Sequence, residues 1–328
     1  MNVLVTGGAG YIGSHTVRRL CDLGHVVVVL DSLEFGRADA VTGVSAVRDL
    51  VVGDIRDASL VRRICHEHGI THVVHFAAYK AVGESMQQPG RYWRNNVGGT
   101  VELVEAVLAE GVRQFVFSSS CSVNGTPTEV PLRESAPVHP ESVYAQTKAT
   151  VETILGWYGV THGLRTVNLR YFNAAGASAD GRIGEDWRYS QNLVPLVMKA
   201  ALGRTPELQV YGDDYPTPDG TCIRDYIHVE DLAEAHVMAL DHLAAGADGA
   251  TLNVGTGVGT SVLEVIRATE RISGRQVPHR IVARRPGDPA SSFADPDLAA
   301  SVLGWRASRS LDEILSSAWR WHSSTVDR

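Results

Sequence analysis

Tyr144 and Lys148 have the residue types and the spacing that a proton-transfer site needs. They lie in the segment VYAQTK, where a helix would place both side chains one turn apart on the same face. A neighbouring ammonium group favours the ionised phenol, so it can lower the pKa of a tyrosine from about 10 towards neutrality. We therefore predict that Tyr144 acts as a general base. Because Tyr-x-x-x-Lys also arises by chance in helices, the rest of the chain must supply the site around it.

Ser118, Ser119 and Ser120 end a predicted strand upstream of Tyr144. A hydroxyl at a strand end can hydrogen-bond a substrate oxygen or pass on its proton. A polar strand end without a chemical role is equally compatible with the sequence. Because the tract contains no histidine or acid to activate a nucleophile, a serine hydrolase is not predicted.

A glycine-rich turn near the N-terminus is typical of dinucleotide binding. The first apolar run leads into Gly7, Gly10 and Gly13, and a helical pattern follows. Small residues let the backbone approach a pyrophosphate, which then faces the helix N-terminus. The next predicted strand, at 25–30, is followed by Asp31, an acid that would accept hydrogen bonds from an adenosine ribose and repel a 2′-phosphate. The pattern favours NAD over NADP.

Strands and helices alternate along the first half of the chain. Strands are predicted at 2–6, 25–30, 50–52, 73–76, 115–117 and 166–171, and helices at 58–68 and 102–110. This alternation predicts an α/β fold, a Rossmann-type doubly wound parallel sheet with ligands at the C-terminal ends of its strands.

The pattern loosens in the second half. Residues 173–176 are predicted to be irregular, and a helix is predicted at 193–202. We predict a dinucleotide-binding domain at 1–172 and a smaller α/β C-terminal substrate domain at 173–328. Segments such as 252–254 are expected to return to the main sheet.

The totals exclude several classes of protein. With 328 residues, 44% hydrophobic and 20% charged, the chain can bury the core of one large or two joined globular domains. A net charge of -7 provides no basic surface for nucleic acid or an anionic membrane. The four cysteines lack CxxC spacing, so neither a metal cluster nor a disulfide frame is predicted. Without a long apolar run or a basic-then-apolar leader, we expect a cytoplasmic protein that does not span a membrane.

The combination of TGGAGYIG, Asp31, FSSS and YAQTK resembles the extended short-chain dehydrogenase/reductases and, within them, the family of UDP-glucose 4-epimerases, also called UDP-galactose 4-epimerases. Further segments carry the resemblance almost from end to end: HFAAYKAVGES, YWRNNVGGT, LRYFNAAGA, YGDDYPTPDGTCIRDYIHVEDLA and LNVGTGVGTSV. The resemblance implies epimerisation of a UDP-sugar at C4 with a tightly bound NAD that is regenerated in each cycle. It also implies a homodimer, for which 88–108 and 141–155 are the candidate contact segments.

Carried over position by position, the resemblance implies three groups of site residues. The catalytic group is Ser120, Tyr144 and Lys148. The cofactor group is Gly7, Gly10, Tyr11, Ile12, Gly13, Asp31, Asp54, Ile55, Phe76, Ala77, Lys80, Asn95, Tyr144, Lys148 and Phe172. The substrate group is Ser120, Tyr144, Asn173, Asn192, Tyr211, Arg224, Arg285, Asp288 and Ser292.

Local interpretations without a ligand remain open for some of these residues. Asp54 could be a helix N-cap or turn residue, and Lys80 a solvated loop charge. Arg224 and Arg285 could be independent surface ion-pair partners. At the level of function, the alternatives are another UDP-sugar 4-epimerase acting on a pentose or uronate, a dehydratase or decarboxylase of the same fold, or a non-catalytic NAD or UDP-sugar sensor. Dehydratases have an Asp-Glu pair after the catalytic hydroxyl, where this chain has Cys121-Ser122.

Three positions depart from the family pattern. Asn124 stands where an aromatic residue is usual, and Thr147 where serine is usual. Ser292 stands where glucose-restricted members have a bulky tyrosine and where members that admit N-acetylated sugars have a small residue. A small side chain leaves room for an acetamido group, so we predict that UDP-N-acetylglucosamine is also accepted.

Overall fold

The computed structural model describes residues 1–43, 46–285 and 287–324. The chain forms two compact units, and neither is a continuous segment. The first unit comprises Met1–Gly125, Pro137–Tyr171 and Ala233–Leu252. The second comprises Thr126–Ala136, Phe172–Leu232 and the described residues from Asn253 onward. The sequence pattern does not reveal that residues 126–136 belong to the second unit, because long-range contacts decide which unit a loop joins.

Thirteen strands lie within the described residues. They are β1 (Asn2–Thr6), β2 (Val26–Asp31), β3 (Asp49–Val52), β4 (His72–His75), β5 (Gln114–Ser118), β6 (Arg165–Tyr171), β7 (Asn173–Ala175), β8 (Leu208–Tyr211), β9 (Ile223–His228), β10 (Ala250–Val254), β11 (Gly259–Ser261), β12 (His279–Val282) and β13 (Ser291–Ser292).

The helices in the same part of the chain connect these strands. They are α1 (Tyr11–Asp22), α2 (Asp39–Thr42), α3 (Ala58–His68), α4 (Val82–Gln87), α5 (Pro89–Tyr92), α6 (Gly99–Ala109), α7 (Val143–His162), α8 (Leu193–Ala201), α9 (Val229–Ala244), α10 (Val262–Ser273), α11 (Asp297–Leu303) and α12 (Leu311–Ser324). A π-helical turn, Trp93–Gly98, joins α5 to α6, and a 3₁₀ turn, Cys121–Asn124, follows β5.

A seven-stranded sheet confirms the predicted Rossmann-type fold. Its strand order is β10-β6-β5-β4-β1-β2-β3, and the pairs from β6 to β3 are parallel. The run VVVVLD of β2 is buried over five of its six residues, as expected for a strand covered on both faces. The chain order reverses between β1 and β4, which is where such sheets bind their ligands, at the C-terminal strand ends.

Smaller sheets belong to the second unit. Strand β9 pairs with β11, β13 and β7, and β8 pairs with β12. The prediction of irregular structure at 173–176 is wrong, because Asn173–Ala175 forms β7 in parallel with Tyr226–His228. So short a strand is held by its pairing with β9, which no local pattern indicates.

Helix ends follow from their capping residues. Ser142 begins α7 by accepting a hydrogen bond from the Ala145 amide at 3.2 Å, and Gly163 ends it at a φ of 69°. Asp57 caps α3 by accepting from the Leu60 amide at 2.9 Å. Asp54 is therefore not the N-cap of α3.

Each unit has a hydrophobic core of its own. Leu4, Leu103 and Phe115 are among the buried residues of the first, and Val197, Val265 and Ile314 among those of the second. Within the described chain, no helix combines the length and apolar character needed to cross a membrane. The same residues contain no group of three or more His, Cys, Asp or Glu side chains placed to hold a metal ion.

Candidate active site and nucleotide-binding residues

The turn after β1 is built so that only glycine fits at two positions. A Cβ on Gly7 would lie 2.6 Å from the Ala77 amide nitrogen, and Gly7 has a φ of 72°. A Cβ on Gly13 would lie 2.3 Å from the Gly7 carbonyl oxygen. Gly10 caps α1 in an extended conformation without a side-chain hydrogen bond, and the first turn of α1 carries no acid. The amide groups at this helix end are therefore oriented as in an anion site.

Asp31 ends β2 with its carboxylate held by the backbone. It accepts hydrogen bonds at 2.9 Å from the amides of Ala9 and Leu33. Burial raises the pKa of this carboxyl, and the two amide donors oppose that shift. A Cβ on Gly36 would lie 2.8 Å from its Oδ1 atom, so the backbone closes tightly around the acid. This orientation fits an acceptor for ribose hydroxyls.

Asp54 and Ile55 lie in the turn before α3. Asp54 accepts from the Arg56 amide at 2.9 Å and pairs with the Arg56 guanidinium at 2.5 Å, which makes it a turn residue with its own ion-pair partner. The paired guanidinium lowers the pKa of Asp54. Ile55 is buried against Gly99. The hydrophobic face that Ile55 provides is compatible with adenine. The Asp54 carboxylate is already paired with Arg56.

The loop after β4 carries three more of the predicted cofactor residues. The Phe76 ring packs against His236 with centroids 4.6 Å apart, and the Ala77 amide donates to the Thr6 carbonyl at 3.1 Å. Burial raises the pKa of Tyr171, and Ser118 and the Lys80 charge oppose that rise. This loop therefore lies at the end of β1 beside the glycine turn.

Tyr11 and Ile12 begin α1 directly after the glycine turn. Asn95 lies in the π-helical turn, where its amide donates to the Asn96 side chain at 3.1 Å. Phe172 belongs to the second unit, where its amide donates to Val254 at 3.4 Å. The other predicted cofactor residues all belong to the first unit.

The predicted catalytic residues Ser120, Tyr144 and Lys148 lie together in the first unit. Tyr144 and Lys148 occupy the first turns of α7 and are 7% and 3% exposed. The Lys148 ammonium donates to the Ser118 carbonyl at 2.7 Å and lies 6.0 Å from the centre of the Tyr144 ring. The Ser120 hydroxyl hydrogen-bonds the Ser122 hydroxyl at 2.9 Å and lies near enough to the Tyr144 phenol to lower its pKa. The arrangement can pass a proton between a serine and a tyrosine beside a cation.

The expected lowering of the Tyr144 pKa is wrong for the protein chain by itself. Burial raises the pKa of Tyr144, and the nearby Ser120 offsets only part of that rise. Burial also lowers the pKa of Lys148 to about 7, with Glu152 acting in the opposite direction. The physical reason is that both charged forms lose solvation in a buried site. Sequence spacing shows which residues are neighbours but does not show how dry their surroundings are.

Sequence reasoning missed the residues that hold α7 in place. The Ser85 hydroxyl accepts from the Tyr144 amide at 3.1 Å. The Asn96 side chain accepts from the Tyr79 amide at 2.9 Å, donates to the Tyr79 carbonyl at 3.0 Å and donates to Thr147 at 3.2 Å. Asn96 thus joins the loop before Lys80 to the catalytic helix. No local signal marks Asn96, because its partners are distant in the sequence.

Asn124 occupies the position where the family usually has an aromatic residue. Its side-chain amide donates to the Pro137 carbonyl at 3.0 Å and the residue is 5% exposed. Asn124 therefore fastens the 3₁₀ turn after β5 to the segment that precedes α7.

A cluster of the predicted substrate residues lies in the second unit. Arg224 donates to the Pro289 carbonyl at 2.8 Å and lies 3.5 Å from the Asp288 carboxylate. Strand pairing places Ser292 opposite Arg224, with Ser292 9% exposed. The Asp288 amide donates to the Arg285 carbonyl at 3.2 Å. Asp288 thus contacts Arg224 through its carboxylate and Arg285 through its amide.

The remaining substrate residues have partners of their own. The Arg285 guanidinium lies 4.3 Å from the centre of the Tyr211 ring. Asn192 precedes α8 and donates to Glu185 at 2.9 Å. Asn173 begins β7 and pairs in register with Tyr226. A nucleotide that binds these side chains would replace some of the contacts that they make within the protein.

Comparison with known proteins places this geometry in a family. The model of the NAD dependent epimerase/dehydratase family matches residues 3–255. The UDP-glucose 4-epimerase of Halalkalibacterium halodurans is 46% identical over 323 residues, covering 98% of this chain and 96% of that protein.

Two solved structures show the same relationship. The structure of UDP-glucose 4-epimerase from Stenotrophomonas maltophila with bound NAD and formylated UDP-arabinopyranose is 46% identical, with a TM-score of 0.96 and 99% of each chain covered. That from Bifidobacterium longum in complex with NAD+ and UDP is 41% identical, with a TM-score of 0.93 and 100% and 99% covered. With a match over most of its length and this identity to full-length relatives, the chain belongs to the NAD-dependent epimerase/dehydratase family.

Proposed function

We propose that this chain is an NAD-dependent epimerase that interconverts UDP-glucose and UDP-galactose at C4. The observation that carries the proposal is the buried group of Ser120, Tyr144 and Lys148 in a unit whose glycine turn and Asp31 fit NAD. The first unit would bind NAD and the second would bind mainly the UDP part of the substrate. The family membership and the UDP-glucose 4-epimerase relatives support this assignment.

Tyr144 is the proposed acid–base group of the reaction. The glycine turn and Asp31 would hold NAD, which would supply a reversible hydride acceptor for the sugar C4. Tyr144 takes the proton of the 4-hydroxyl, and Ser120, which lies near the phenol and lowers its pKa, assists this transfer. Lys148 provides a positive charge beside the phenolate. After the 4-keto sugar has rotated in the pocket to present its other face, Tyr144 returns the proton to the new 4-hydroxyl.

Substitution Tyr144→Phe tests this assignment. We expect kcat to fall by about 10²–10⁴, since a positioned general base contributes that much. UDP binding, measured by calorimetry, should remain near that of the unchanged protein because the residues proposed to hold UDP are intact. Tyr158→Phe, at a half-buried position of the same helix where the phenol hydrogen-bonds Glu105, is the matched control and should retain activity. Near-normal turnover in Tyr144→Phe would refute the role of the phenol.

The second proposed activity is epimerisation of UDP-N-acetylglucosamine. It rests on Ser292, a small residue that pairs in register with Arg224. Because a serine leaves more space than a tyrosine, an acetamido group can be accommodated beside the sugar. Parallel assays of plain and N-acetylated UDP-sugars decide the question, and turnover of UDP-galactose without turnover of the N-acetylated sugar would reject this second activity.

We propose that the protein is a cytoplasmic homodimer. Helix α7 leaves Trp157 65% and Val160 79% exposed, an apolar surface that a second copy would cover. The four cysteines are all free thiols, which suits a reducing compartment. Trp157→Glu should convert a dimer to a monomer in light scattering. A wild-type monomer would contradict the dimer.

A further inference from the structure

A buried ion pair lies one helical turn beyond Lys148. Glu152 and Arg170 form two parallel hydrogen bonds, at 2.9 and 2.6 Å, and their side chains are 9% and 7% exposed. The Ser119 hydroxyl donates to the same carboxylate at 2.5 Å. Glu152 thus connects helix α7 with strand β6 and with the residue that follows strand β5. All three elements belong to the first unit.

The pair shares its surroundings with the proposed catalytic residues. Residues 144, 148 and 152 follow one another at four-residue spacing on one side of α7. Ser119, which donates to Glu152, follows Ser118, whose carbonyl accepts the hydrogen bond of Lys148. The serine tract is therefore attached to α7 at two successive residues, directly before Ser120.

Stability alone does not account for this arrangement. Two charges lose much of their hydration on burial, and a buried ion pair commonly stabilises a fold no better than apolar residues of the same volume. The Glu152 carboxylate has a second consequence, because its negative charge favours the protonated form of Lys148 against the effect of burial.

Few other charges act on Lys148 from the elements packed against it. His75 of β4 is buried, and burial together with Lys148 lowers its pKa, so it stays neutral. On β5 the ammonium meets the Phe117 ring at 4.7 Å and the Ser118 carbonyl. On β6 Arg170 is neutralised by Glu152, and Tyr171 is a half-buried tyrosine near Tyr144 and Lys80.

We propose that Glu152 is a positioning residue for proton transfer at Tyr144: anchored by Arg170 and Ser119, it fixes the strand end that carries Ser120 and places a carboxylate one helical turn from Lys148. This role deepens the proposed epimerase function and rests on it. Glu152 acts through Lys148 and the serine tract and need not touch the substrate.

The charge of Lys148 can be measured without any enzyme assay. The chain has three lysines, Lys80, Lys148 and Lys199, so ¹³Cε-lysine labelling gives three NMR signals that variants at positions 80 and 199 assign. In the NAD-bound protein, Glu152→Gln should lower the titration midpoint of Lys148 by roughly one pH unit, since it removes a nearby negative charge and leaves Arg170 unpaired. In the double variant Glu152→Gln/Arg170→Gln, the Lys148 midpoint should lie between that of the unchanged protein and that of Glu152→Gln. The alkaline limb of the kcat profile should move with the midpoint.

A purely structural ion pair predicts a different pattern. Both variants would then lower the melting temperature and leave the Lys148 midpoint unchanged, and that result would overturn the proposal. Ser119→Ala tests the anchoring without removing a charge and covers the case in which Glu152→Gln fails to fold. It should lower kcat by about 3–10-fold with an unchanged KM, as expected for one lost hydrogen bond. An unchanged kcat in Ser119→Ala would also overturn the proposal.

The two hypotheses fail in distinguishable ways. A wild-type protein that does not turn over UDP-galactose refutes the proposed epimerase function, whatever the NMR signals show. A wild-type protein that is active, with a Lys148 midpoint that does not respond to Glu152, refutes only the role of Glu152.

Discussion

The surroundings of Tyr144 in the first unit differ from those of Arg224 in the second. Tyr144 and Lys148 are buried. Burial raises the pKa of Tyr144 and lowers that of Lys148, so it favours the neutral form of both side chains. The side chains of Arg224 and Asp288 are 15% and 30% exposed and face each other at 3.5 Å. Proton transfer benefits from a group whose charged and neutral forms are close in free energy near neutral pH, which holds for Lys148. Binding a diphosphate requires cations that stay charged and can exchange one partner for another.

The comparison is sharpest for Lys148. Lys148→Met should lower kcat by about 10³-fold and leave KM for UDP-galactose nearly unchanged, because the charge acts on the chemical step. Steady-state kinetics measure both values. A large rise in KM would show that Lys148 mainly binds substrate and would remove the contrast between the units.

The same substitution should stabilise the fold. The unfolded chain holds the Lys148 proton up to about pH 10.5, whereas the folded chain holds it only below about pH 7, so this group costs stability most fully below pH 7 and not at all above about pH 10.5. Lys148→Met should therefore raise the melting temperature at pH 6 and lose that advantage as pH rises. Lys199→Met in the second unit is the matched control. An equal gain at all pH values would contradict the electrostatic explanation.

Arg224 tests the other side of the comparison. Arg224→Lys should raise KM for the UDP-sugar by about 10–100-fold with kcat within about twofold, because lysine cannot reproduce a two-pronged phosphate contact. Arg188→Lys, at an exposed arginine paired with Asp186, should leave both constants unchanged. A fall in kcat alone would place Arg224 in the chemistry instead.

Ser292 separates sugar selection from nucleotide binding within the second unit. Ser292→Tyr should lower turnover of UDP-N-acetylglucosamine by about 10–100-fold and that of UDP-galactose by less than about threefold, since the added ring fills the space for an acetamido group. Ser291→Tyr is the control, because neighbouring strand residues point to opposite faces. Equal losses for both sugars would mean that the pocket does not select at this position.

Asn96 should give the smallest effect on activity. Asn96→Ala removes four side-chain hydrogen bonds, two with the Tyr79 backbone, one with Thr147 of α7 and one with Asn95. It should cost about 1–3 kcal/mol of stability with a 3–10-fold lower kcat. Thr147→Ser keeps the hydroxyl that Asn96 binds and should behave like the unchanged protein. Thermal melts measure the loss of stability, and steady-state kinetics measure the change in kcat. A normal melting temperature in Asn96→Ala would show that packing alone positions α7.

Local sequence patterns predicted much of the fold. The predicted strand 2–6 and helix 58–68 coincide with β1 and α3, because an apolar run, an N-cap and a C-terminal glycine define them locally. The predicted helix 102–110 begins too late, since the π-helical turn runs directly into α6 at Gly99. Strand β7 was missed because its three residues depend on β9 for their hydrogen bonds.

The sequence by itself determined the fold class, the glycine turn, the acid after β2 and the spacing of Tyr144 and Lys148, because each depends on residues close together in the chain. Only the tertiary structure decided the charge states of the site. The pKa of Tyr144 and that of Lys148 depend on burial, and the Glu152–Arg170 pair, Ser85 and Asn96 reach the site through contacts between distant segments. Desolvation is a property of everything that surrounds a group, so it exists only once the chain has folded.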